Sequence, residues 1–248
     1  GTRLAQRFPQ QDNYMTLSIR ALHRVWPILV TLALAMTASA AMAHNVTEGD
    51  AGYVQEVSGF LPIPFMYLGA KHMVTGYDHI LFLFGVIFFL YRMKDIGLYV
   101  SLFALGHSIT MLAGVWFGIQ INSYVIDAII GFSVVSEALD NQGAFQRWFG
   151  VQPDTRAATL AFGLLHGFGL ATKILDYDIA PNGLLGNLIA FNIGVELGQL
   201  IALSIILIAM GFWRRSPRFW GQAYTANVVM MSAGFLLVFY QLTGLVLS

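Results

Sequence analysis

Cysteine is absent from the 248 residues, which excludes structural disulfides, thiolate zinc sites and cysteine nucleophiles. Any metal would have to be held by imidazole, carboxylate or amide groups. Charge is scarce as well: 10% of residues are Asp, Glu, Lys or Arg, against roughly 25% in an ordinary soluble domain. The 13 basic residues are matched by 13 acidic ones, so there is neither a basic face for nucleic acid nor an acidic tail for a polycation. No phosphate-binding loop of the P-loop kind occurs, so nucleotide hydrolysis within this chain is excluded as a source of work. What the chain has in excess is apolar surface, 57% hydrophobic residues, and such a chain belongs in a lipid bilayer.

The amino-terminal region reads as a targeting segment. Residues 1–14 are polar and aperiodic and are not expected in the mature protein, with Met15 as a possible start of translation. From Met15, a stretch with Arg20, His23 and Arg24 precedes the apolar run Val25 to Met36, and small residues lead to Ala41-Met42-Ala43. That is the three-part grammar of a signal peptide over 15–43, because the apolar run is shorter than the roughly 20 residues a comfortable span needs. Cleavage would expose His44, whose free amine and imidazole offer an outer chelating group for copper or nickel, at the head of a short exported segment, 44–60.

Over 61–248 apolar stretches recur at about 61–91, 95–118, 121–140, 157–175, 184–211 and 222–246, each long enough for a core roughly 30 Å thick. The expected fold is therefore an all-α membrane protein, a bundle of about six transmembrane helices. With the mature amino terminus outside, the connections after the first, third and fifth spans hold Arg92, Lys94, Arg147, Arg214, Arg215 and Arg218. This obeys the positive-inside rule and places both termini on the periplasmic side of a bacterial inner membrane. Residues 141–156, with Trp148, Phe149 and Pro153, read as a cytoplasmic amphipathic connector.

Against this background the ionisable residues inside the spans stand out, since each costs at least about 2.5 to 3.5 kcal/mol in lipid and normally serves an ion path or a cofactor. The first span carries His72, Asp78 and His79, with His72 and His79 seven apart and so on one helix face. His107 lies centrally in the second span and His166 centrally in the fourth. The fifth contributes Asn192 and Glu196 at i, i+4, with Gln199 nearby; the third contributes Glu137, with Ser133 and Ser136, nearer the cytoplasmic end. Asp127 lies nearer the outside and reads as a solvated or capping group, and Lys173 sits at a helix edge. Two glycine pairs, Gly163/Gly167 and Gly194/Gly198, have the small-xxx-small spacing that lets helix backbones approach closely and gather these side chains around one cavity.

One membrane histidine alone would suit a helix-to-helix hydrogen bond. Several imidazoles with carboxylates and no thiolate suit a borderline divalent cation such as nickel, cobalt, zinc, copper or iron(II). A proton relay could use the same groups.

The segments His72-x3-Gly76-x-Asp78-His79-Ile-Leu-Phe-Leu, His107-Ser108-Ile-Thr110, Glu137, Phe162-Gly-Leu-Leu-His166-Gly-Phe-Gly-Leu-Ala171 and Phe191-Asn192-x-Gly194-Val-Glu196-Leu-Gly198-Gln199 together resemble the HupE/UreJ family, particularly its second branch. The resemblance runs from about residue 65 to 205. It implies a hydrogenase or urease accessory membrane protein acting as a secondary permease for nickel, sometimes cobalt, with His72, Asp78, His79, His107, Glu137, His166 and Glu196 at the matching positions. The expectation is thus metal transport rather than catalysis, with lipid and the metal ion as partners. Two alternatives are an accessory subunit delivering metal to a larger membrane metalloenzyme, and a membrane-embedded metal-dependent hydrolase or oxidoreductase.

Overall fold

The computed structural model describes residues 58–176 and 182–248, and over them it contains helices and connections but no strand. The expected signal peptide, most of the exported segment and His44 lie outside the described residues. The helices are α1 (Pro62–Thr75), α2 (Tyr77–Ile87), α3 (Met93–Phe117), α4 (Ser123–Asn141), α5 (Ala144–Phe149), α6 (Thr155–Leu175), α7 (Leu184–Arg214) and α8 (Phe219–Leu247).

Four of these, α3, α6, α7 and α8, are long and apolar enough to cross a membrane. The α4 helix has 19 residues but carries Asp127, Glu137 and Asp140. The first apolar stretch, expected as one span, is divided. Gly76 stands in extended conformation, φ −72° and ψ 106°, between α1 and α2. Glycine is a poor helix former, and here it separates two helices, each too short to cross alone.

Helix ends are closed by local chemistry. Pro62, in the first turn of α1, gives up no donor that the helix could have used. The Asn122 carboxamide oxygen accepts from the backbone N–H groups of Tyr124 (3.0 Å) and Val125 (3.3 Å) to start α4. The Asp154 carboxylate does the same for α6 through Arg156 and Ala157. The carboxyl end of α2 is capped from a distance: the Arg214 guanidinium donates to the carbonyl of Phe88 at 2.8 Å and to that of Ile87, and lies 4.5 Å over the Tyr91 ring.

The helices associate in three main pairs, α3 with α6, α1 with α7 and α4 with α8, while α2 touches members of all three. Glycines set two of these pairings. A methyl group at Gly198 of α7 would stand 2.6 Å from the Ala70 carbonyl of α1, and one at Gly106 of α3 would stand 2.6 Å from the Leu160 carbonyl of α6. Backbone therefore lies against backbone, and α2 is wedged centrally with Phe82, Leu83 and Ile87 fully buried. In the connector, α5 leaves Trp148 and Phe149 exposed.

One expectation is corrected outside the cluster of histidines. Asp127 is not solvated: it is 6% exposed and forms an ion pair with Lys173 at 2.9 Å. The two residues face each other between α4 and α6, which sequence alone could not pair.

Candidate metal centre

The α2 helix brings Asp78 and His79 to the middle of the bundle on its first turn. Around them stand His72 from the last turn of α1, His107 from the centre of α3, and His166 from the centre of α6. His79 is the hub: its ring centroid lies 5.1 Å from that of His72, 5.1 Å from that of His166 and 6.2 Å from that of His107. Two overlapping triads result. Potential ligand atoms of His72, His79 and His107 lie within 4.8 Å of one another, and so do those of Asp78, His79 and His166. Two ligands of a tetrahedral cation stand about 3.4 Å apart, so the side chains of either triad would draw together around an ion.

Burial is deep. Asp78, His79, His107 and His166 are each 1–2% exposed, whereas His72 is half-buried. Aromatic rings wall the cluster: Phe103 lies 4.9 Å from His166 and 6.3 Å from both His79 and His107, Phe82 lies 5.6 Å from His166, and Phe191 lies 5.9 Å from His72.

Hydrogen bonds orient two of the rings, those of His166 and His79. His166 Nδ1 is 2.7 Å from the Phe162 carbonyl oxygen, which can only accept, so Nδ1 is the donor and Nε2 of the neutral ring carries a lone pair. That Nε2 is buried with no hydrogen-bond partner. The His79 Nδ1 stands 3.0 Å from Asp78 Oδ1, the carboxylate–imidazole arrangement that orients a metal-binding histidine. Both ring nitrogens of His107 are buried without a hydrogen-bond partner. A donor set this dry, of imidazoles with a carboxylate, fits a borderline divalent cation.

Not every candidate joins this cluster. Asn192 is half-buried on α7, its Oδ1 buried without a hydrogen-bond partner. Glu137 is buried, 3% exposed, but it stands on α4 beside Gly85 of α2 and joins neither triad. Gly85 is six residues beyond His79, or about 9 Å along the helix. Glu196 is exposed, because Gly194 and Gly198 turn their side of α7 onto α1 and a residue two positions from each points about 200° away.

Polar residues outside the expected set support the packing. Thr110 donates to the Leu164 carbonyl at 2.6 Å and so stitches α3 to α6 beside His107. Gln199, 1% exposed, reaches from α7 toward the Val100 carbonyl of α3. Asn187 holds the chain before α1 through Gly59 and Leu61. The signal for Gln199 was its helical phase, seven residues after Asn192.

The family model described as HupE / UreJ protein matches residues 48–248. No curated protein and no solved structure matches the chain.

Proposed function

This chain belongs to the HupE/UreJ family, and from that premise we propose that it carries a divalent transition metal, nickel or cobalt, across the inner membrane through the His72, Asp78, His79, His107 and His166 cluster. The family is associated with nickel and cobalt transport or accessory roles. The observation that carries the reading is the position of His79, shared by both triads of ligand atoms. A cation handed from one triad to the other would keep His79 as a ligand throughout, so its coordination shell is exchanged rather than stripped.

The topology that goes with this proposal has six crossings, α1 and α2 together making the first and α4 the third. Arg92, Lys94, Arg147, Arg214, Arg215 and Arg218 then face the cytoplasm and both termini the periplasm. The cation comes from outside past half-buried His72, is held at His79, and leaves toward Glu137 of α4, which stands beside Gly85, roughly 9 Å beyond His79 along α2. Work comes from an ion gradient or from a partner protein. We take the protein as a permease rather than an enzyme because a histidine common to both triads suits passing an ion on, whereas a catalytic site keeps its metal in place on three ligands beside an open position.

Accumulation of radioactive nickel or cobalt by cells producing the protein is the direct test. Wild-type protein should raise uptake above that of cells lacking it, and a His79→Ala, His166→Ala variant inserted at equal abundance should not. Equal uptake by the two would reject the route.

A further inference from the structure

The outer face of α7 presents a second problem that the cation site does not solve. Among the described residues of this helix, Glu196 is the only acid, and it sits 12 residues from the start of a 31-residue apolar helix, about 18 Å in. It is exposed, with Ile193 (46%), Leu197 (45%) and Leu200 (55%) exposed beside it. A carboxyl directed into hydrocarbon costs several kcal/mol unless a polar group meets it.

We propose that a second copy of this chain covers that face, α7 against α7, with the two Glu196 carboxyls meeting across the dimer axis. Three features lead to a second copy rather than to another protein. The exposed residues Ile189, Ile193, Glu196 and Leu200 follow one another at 4-3-4 spacing, the seam of two parallel helices crossing at about 20°. They fall within an arc of about 60° on the helix, so one partner helix covers them all. All copies insert in one orientation, so two α7 helices about an axis normal to the bilayer run parallel, with every residue at the depth of its twin. Glu196 then meets a polar group at its own depth by symmetry, and a carboxyl O–H can donate while a carboxyl C=O accepts. A different partner would need a polar residue placed independently at that level. A single polar residue in an otherwise apolar seam also fixes register.

The inference does not rest on metal transport, and its test reads association alone. The chain has no native cysteine, so single cysteines in the full-length protein report proximity in the membrane. Oxidation should join copies carrying Ile193→Cys or Leu200→Cys, and should leave those carrying Leu105→Cys, exposed on α3, as single chains. Energy transfer between labelled copies in vesicles, followed as lipid is added, gives the affinity. Glu196→Leu should weaken association about tenfold, and Glu196→Gln, whose amide both donates and accepts, should retain most of it. Failure of cross-linking at both seam positions, or association of Glu196→Leu equal to that of the wild type, overturns the proposal. So does capture of α7 by a different protein in place of its own copy.

Discussion

Replacing Gly76 by alanine tests the centre with a single methyl group. The backbone at this position, φ −72° and ψ 106°, is open to any residue, so alanine imposes no conformational strain. Its Cβ would, however, stand 2.6 Å from His79 Nδ1 and 3.1 Å from Asp78 Oδ1. The rings of His72 and His166 each lie 5.1 Å from that of His79, so a displaced His79 ring changes its place among the other ligands. The 3.0 Å contact between Asp78 and His79 must therefore open. Loss of such an orienting partner lowers metal affinity by about 10- to 100-fold, or about 1.4 to 2.8 kcal/mol. Gly167→Ala is the contrasting change, because its methyl would fall on the His107 carbonyl and the Thr110 hydroxyl and so push α3 from α6. Overpacking of that kind destabilises by about 1 to 3 kcal/mol. The assay is equilibrium dialysis of nickel against protein in lipid nanodiscs, run beside thermal unfolding. Gly76→Ala should lose nickel affinity with its melting temperature nearly unchanged, and Gly167→Ala should lose stability first. Wild-type nickel affinity in Gly76→Ala would show that the geometry of His79 does not govern binding, and the reasoning would fail.

Two further outcomes concern stability. Asp127→Asn leaves the Lys173 ammonium buried beside a neutral amide where an ion pair of 2.9 Å had been; a loss of about 3 to 5 kcal/mol is expected, recovered in good part by the double change Asp127→Leu, Lys173→Met. Equal melting of the single and double variants would mean that the pair is not formed. Arg214→Gln removes the charged donor from the carbonyls of Ile87 and Phe88 and should lower stability by about 2 kcal/mol, most visibly as faster amide exchange at the end of α2. Unchanged exchange there would dismiss the cap.

What could be read from the sequence was depth along each helix, and what could not was direction around it. His107 and His166 were placed centrally by counting residues from the ends of their apolar stretches, and the helices centre them in the same way. The glycine pairs likewise predicted close approach, and Gly167 and Gly194 do lie against the backbones of α3 and α1. Rotation was harder. Asn192 and Glu196, at i and i+4, differ by about 40° around the helix, enough to leave one half-buried and the other exposed. The spacing itself held the missing sign: a residue midway between two contact glycines is turned from the contact they make. Glu137 could not be separated from the histidines by any such count, because its distance from them depends on where α4 packs. The partnership of Asp127 with Lys173 was hidden for the same reason, spanning 46 positions of sequence.

The division of the first apolar stretch at Gly76 has the largest chemical effect. In one continuous helix, residues seven apart share a face but stand about 10.5 Å apart along the axis, too far for a single cation to bind both without long side chains leaning together. With α1 ending at Thr75 and α2 starting at Tyr77, the rings of His72 and His79 approach to 5.1 Å. The break also sets two helix termini beside the cluster. The last carbonyls of α1 lack intrahelical donors and carry partial negative charge, which favours a cation, while the amino-terminal end of α2 carries partial positive charge, which opposes one. Asp78 lies in the first turn of α2, where its carboxylate offsets that positive end and orients His79 at the same time. A helix broken where it is buried among other helices can satisfy its freed backbone groups, and α2, lodged among all three helix pairs, meets that condition. Gly76 is thus the residue on which the geometry of the centre turns, because it is both where the helix divides and where any side chain would meet the hub histidine.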